Sequence, residues 1–233
     1  MLKSLFAAAL LLSTTAFAED AKLPRTISLV GHGEVHATPD IAIVTMGVLT
    51  SAITAQEALA ANTKSMSDLM AVLKTAAVEN KDISTSNFSV NPRYDYGANN
   101  GQPPKVTGYD VSNNVTVILR KIDKVGDLLD KVVTAGSNQI NSVSFTIDNP
   151  QAAVEEASKA AVADAKRKAE LYVGAASVSL GNVISISEGG ANQPPMPMRA
   201  KMMAADSSGG APVPISQGEQ VIGVDVNITW EIK

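Results

Sequence analysis

The closing stretch of the chain constrains its fold most. Ile222, Val224, Val226, Ile228, Trp230 and Ile232 alternate without a break with small or polar residues. Strand side chains point to opposite faces with a period of two, so this run has one apolar face and one polar face. A half-buried strand of this kind needs neighbours in a sheet and a second layer over its apolar side.

Other runs supply both. From Arg25 to Ala37, residues Ile27, Leu29, Gly31, Gly33, Val35 and Ala37 share one face, with Ser28, Val30, His32, Glu34 and His36 on the other. Pro39-Asp40 then breaks the run as a turn. Ile41 to Thr50 is apolar on both faces, which predicts a central strand. Thr54-Ala55-Gln56-Glu57 fits a capping box and opens a long helix that should stop near Asn80. Strands are expected at 83–90 and 106–119, separated by a loop rich in turn formers from Asn91 to Lys105. A shorter helix follows over 122–135, with Asp123 as N-cap and Gly136 as C-cap. Val143, Phe145 and Ile147 alternate as a strand. Asn149-Pro150 starts a second long helix, in which alanine recurs at 152, 153, 157, 160, 161, 163, 165 and 169. Val183, Ile184 and Ile186 mark another strand. The segment 189–217, rich in Pro, Met, Gly and Ser, reads as a flexible loop.

The order strand, long helix, strand, loop, strand thus occurs at 41–119 and again at 140–232. Both loops hold a Pro-Pro pair, at 103–104 and 194–195. The fold expected is α+β, with two similar strand–long helix–strand–strand halves, mainly antiparallel sheets and the shorter helix between them. The subdomains would be 25–120 and 121–233.

The first eighteen residues stand apart. Lys3 gives a positive start, Leu5 to Leu12 a short apolar stretch, and Ala16-Phe17-Ala18 a small-x-small cleavage site before Glu19 and Asp20. This is the pattern of an export signal cut between Ala18 and Glu19. The apolar stretch is too short for a membrane span, which needs about 20 residues. The domain expected after export is 19–233, soluble outside the cytoplasm. The chain has no Cys, so disulfides, thiol catalysis and Cys-ligated zinc are all excluded. A net charge of −4 and the lack of a basic patch argue against a nucleic-acid partner.

Several stretches resemble the bacterial SIMPL-domain family. The first is Ile27-x-Leu29-Val30-Gly31-x-Gly33-Glu34-Val35, followed by Pro39-Asp40. Others are Ile83-x-Thr85-x-Asn87-Phe88-x-Val90-x-Pro92-x-Tyr94 and Gly108-Tyr109-x-Val111-Ser112-Asn113-x-Val115-x-Val117. The last are Leu180-Gly181-x-Val183-x-x-Ile186-x-Glu188, Gly218-Glu219 and Trp230-Glu231. Together they span nearly the whole exported chain. The resemblance implies an α+β periplasmic protein of the immunogenic or oxidative-stress-defence type, not an enzyme, which assembles into homo-oligomers. It supplies no catalytic residues. It also places the chain in the periplasm, at most loosely associated with the outer membrane.

The residues themselves offer little chemistry. Gly31-x-Gly33 lacks a third glycine at His36, and Pro39 precludes a following helix, so a bulge or close strand packing explains it better than a dinucleotide loop. His32 and His36 are four residues apart on a strand, about 13 Å, too far to share one ion. They read as solvated surface residues. The carboxylates Glu34, Asp40, Asp110, Glu188 and Glu231 are scattered. Asp40 is expected to shape the turn after Pro39. Met196, Met198, Met202 and Met203 form the one unusual cluster. Thioethers suit Cu(I), oxidise reversibly and adapt to irregular contacts, which leaves a soft-metal site, an oxidant sink, an assembly interface and a mobile loop as readings. No cofactor is expected, and no small-molecule ligand can be named from these residues.

Overall fold

The computed structural model describes residues 25–95, 103–189, 196–197 and 215–233. Strands β1 (Thr26–Ala37) and β2 (Ile41–Ala52) lead into helix α1 (Ala55–Thr75). Strands β3 (Ile83–Asp95) and β4 (Lys105–Leu119) follow, then helix α2 (Val125–Thr134) and strand β5 (Gln139–Thr146). Helix α3 (Gln151–Ala175) precedes β6 (Leu180–Gly189), β7 (Met196–Pro197) and β8 (Gln220–Ile232). Two antiparallel sheets result. One has the order β3-β4-β2-β5; the other has the order β1-β8-β6, with the short β7 also on β8.

The α+β halves read from the sequence are present, but space and sequence divide the chain differently. In the first half β2 and β3 flank β4, under α1. In the second, β1 and β6 flank β8, under α3. The strand that matches β2 is therefore β1, from the start of the chain, and not the run near 140–147. That run, β5, pairs with β2 and extends the first sheet. The sheets consequently do not part at residue 120. Hydrogen-bonded pairing, which periodicity does not encode, decides this.

Local signals explain the elements. Thr54 accepts from the Glu57 amide and the Glu57 carboxylate accepts from the Thr54 amide, completing the capping box. Asn149 Oδ1 accepts from the Gln151 amide, but Pro150, expected in the first helical position, is itself the N-cap of α3, and no side chain caps that helix. Asp123 does not cap α2: a single 3₁₀ turn at Ile122–Lys124 enters that helix, and no side chain caps it. Gly136, at φ +104°, ends α2 as expected. The long helices end alike, with Ala77 and Ser177 left-handed at φ 59° and 56°. Helix α1 ends at Thr75, short of Asn80. Strand β3 runs through Pro92 to Asp95, so the first loop is shorter than expected; its proline is tolerated because β3 lies at an edge.

The cores differ in substance. In the first half Val44, Met46, Leu69, Leu73, Val117 and Val132 are fully buried among the residues that pack together. In the second, Ala157, Ala161, Ala165 and Ala169 of α3 meet Val224, Val226, Ile228 and Trp230 of β8. Among the described residues no helix is long and apolar enough to cross a membrane.

Candidate functional site

The glycines of the opening motif lie beneath α3. A Cβ on Gly31 would stand 1.9 Å from the Ala161 carbonyl oxygen, and one on Gly33 would stand 2.1 Å from that of Ala157. The β1–β8 register is unbroken over its whole length, so there is no bulge. Gly31-x-Gly33 instead lets the alanine face of α3 sit directly on the strand. Pro39-Asp40 forms the corner between the sheets. The Asp40 amide donates to the Thr146 carbonyl and its carboxylate accepts from the Asp148 amide at 2.7 Å. Gly108 and Gly181 are also sites of close approach, to the Ala52 carbonyl oxygen and to Glu231. Tyr109 pairs with Ala52 and Pro92 in the sheet. These positions are spread over both halves and converge on no common pocket.

The two edges of the second sheet contrast. At β1 the His32 amide donates to Asp164 Oδ2 at 3.0 Å, and the Val30 carbonyl accepts from Lys168 Nζ at 3.0 Å. Asp164 also pairs with Lys168 and Arg167. Hydrogen bonds from Lys168, the His32 amide and Arg167 hold the Asp164 carboxyl far below the usual carboxylate range. Side chains of α3 thus occupy outward main-chain groups of this edge. Helix α3 hardly reaches the opposite edge, β6, where Val183, Ile184 and Ile186 are at least half exposed. The β3–β4 hairpin likewise exposes Phe88, Val90 and Val106.

His32 and His36 lie outward on β1 with Glu34 between them. His32 Nδ1 is 2.8 Å from Asp225 Oδ1, and its Nε2 is 3.6 Å from Glu34. His36 lies 3.9 Å from both Glu34 and Glu219. Bonding to Asp225 raises the His32 pKa above 6.5, against partial desolvation and with help from Glu34. Among the described residues no three His, Asp or Glu side chains are placed to hold a metal ion. Asp110 instead accepts from Ser51. Met196 lies in β7, while Met198, Met202 and Met203 lie outside the described residues, as does the expected cleavage site at Ala18 and Glu19.

A cleft that sequence reading missed lies between α1 and α2. It has a volume of about 490 Å³ and includes Ala76, Val78, Asp82, Leu119, Arg120 and Leu128 in its lining. Arg120 donates to both oxygens of Asp82, at 3.1 and 3.2 Å, and to Asp148. Asp82 is buried, and these hydrogen bonds, Asp82 first, raise the Arg120 pKa further above its ordinary value. The cationic pair Arg120-Lys121 just past the β4 run was the available signal.

Comparison with known proteins adds a family. The family model described as SIMPL, protein of unknown function (DUF541), matches residues 27–230. The chain belongs to the SIMPL family. Among its SIMPL relatives, the 26 kDa periplasmic immunogenic protein of Brucella melitensis is 40% identical over 233 residues, covering 95% of this chain and 91% of that one. The Escherichia coli K12 protein designated Uncharacterized protein YggE is 34% identical over 180 residues, 76% of this chain and 71% of its own. Its Edwardsiella ictaluri namesake is 30% identical over 195 residues, 84% and 81% of the two chains.

Proposed function

We propose that the chain is a periplasmic, antigenic, non-enzymatic protein that assembles with copies of itself and serves in envelope or oxidative stress. The name of the Brucella relative supports the compartment and the antigenic character. The asymmetry of the second sheet supports assembly: α3 occupies one edge, while β6, which has no strand on its outer side among the described residues, bears Val183, Ile184 and Ile186. An open edge with apolar side chains is a template for another strand. In this reading β6 pairs with β6 of a second copy.

Light scattering of the exported chain over a wide concentration range tests assembly. Multimers that fall to monomers on Ile184→Lys or Ile186→Lys support it. A strict monomer at high concentration overturns it. Peroxide survival of a strain lacking the gene, with and without complementation, tests the stress role, and unchanged survival rejects it.

A further inference from the structure

We propose that the cleft between α1 and α2 binds an amphipathic carboxylate, an unbranched acyl tail ending in one acid group. The cleft is not confined to the Arg120 end. A second hollow of about 500 Å³ adjoins it, with Thr75, Ala76 and Lys131 lining both. Ala71 and Val72 of α1 and Ala135 after α2 add apolar surface there, beside Asp130 and Thr134. One helical turn, about 5.4 Å, separates Val72 from Ala76, so the two hollows meet along the last turns of α1. Their lining holds no aromatic ring against which a base or sugar could stack. The volume, and the aliphatic side chains set among the charged ones, suit a slender acyl chain.

Charge fixes the head group. The carboxylates at this end are already engaged, Asp82 by Arg120 and Glu79 by Lys81 at 2.8 Å, while Asp127 lies 3.9 Å from Lys124. Lys121 and Lys131 also border the cleft and make no ion pair among the described residues. Arg120 is fixed in the wall by two carboxylates, which leaves these two lysines to meet an incoming anion. Apolar stretches of both helices, with Lys121 in the first hollow, Lys131 shared by both and Asp130 in the second alone, complement an acid with a tail whose head lies at the Lys121 end.

The test is titration of the exported chain with a fluorescent dansyl-undecanoic acid, competed by dodecanoate, by dodecanol or by a short acidic peptide. Dodecanoate should displace the probe at micromolar concentration and dodecanol far more weakly. Joint Lys121→Glu and Lys131→Glu replacement should weaken dodecanoate about tenfold, and joint replacement by Arg should restore it. Ala76→Leu, which narrows the cleft without touching charge, should weaken both competitors and keeps the test open if charge reversal impairs folding. No saturable binding, equal binding of dodecanol, or indifference to charge reversal and to Ala76→Leu alike would overturn the proposal. Displacement by the peptide and not by dodecanoate would overturn it as well, assigning the cleft to a protein partner.

Discussion

The first half of the molecule and the second share one plan, a helix on a three-strand unit, yet they fill the space between layers in opposite ways. Between α1 and its sheet lie Met46, Leu69, Leu73 and valines, and large side chains hold the layers apart. Between α3 and its sheet lie alanines on one side and, at β1, two glycines, so backbone approaches backbone. The first kind of contact is damaged by removing volume and the second by adding it. Each half should therefore fail under substitutions that the other would tolerate.

The largest effect is expected at the tight seam. Gly31→Leu puts a side chain where even a Cβ meets backbone 1.9 Å away, so α3 must lift from β1. The cost should be about 4 kcal/mol or more, read as a fall in the urea unfolding midpoint. Little change would mean that α3 is not seated on this strand. Next comes Leu69→Ala in the other half, which opens a cavity at a fully buried position and should cost about 3 kcal/mol by the same measurement.

Asn62 sharpens the comparison further. It is a buried amide on α1, donating to the Val48 and Val111 carbonyls at 2.9 and 3.1 Å, whereas the buried residues of α3 are four alanines and Val173. Asn62→Leu removes both donors and should cost about 2 kcal/mol, with lost hydrogen-exchange protection centred on β2 and β4. A neutral result would show that the layers need only apolar filling there.

The smallest effect concerns pH and belongs to the second half. His32 has a raised pKa when folded, so its pairing with Asp225 stabilises fully below pH 6.5, the unfolded value, and is lost as pH rises through the folded value. Both side chains are more than half exposed, so less than about 1 kcal/mol is at stake. Wild type should lose slightly more stability than Asp225→Asn between pH 5.5 and 8.5, measured by urea unfolding. Identical slopes would remove the ion pair from the account.

Much of this fold was legible residue by residue. Unbroken alternation located β8, two-sided apolarity made β2 central, and the Thr54–Glu57 box began α1, because each signal is local and carries its own geometry. Pairing was not legible. Nothing in 26–37 or 139–146 says which of them flanks β8, since both are strands that need a neighbour. Gly31 and Gly33 were visible as unusual, but their reason lies on a helix more than a hundred residues away. The cleft was hidden for a related cause. Arg120, Asp82 and Asp148 come from three separate places, and Lys121 and Lys131 look like ordinary surface charges until α1 and α2 are placed side by side.

The pairing of β1 with β8 joins residues far apart in the sequence, Thr26 to Glu231. A chain made from its N-terminus presents β1 early, yet that strand cannot pair with β8 until residues 220–231 have followed. The loop to be closed, from residue 37 to residue 220, is long, a condition that slows folding. The second half is thus a late-closing clasp, whose first strand stays unlocked until β8 has followed.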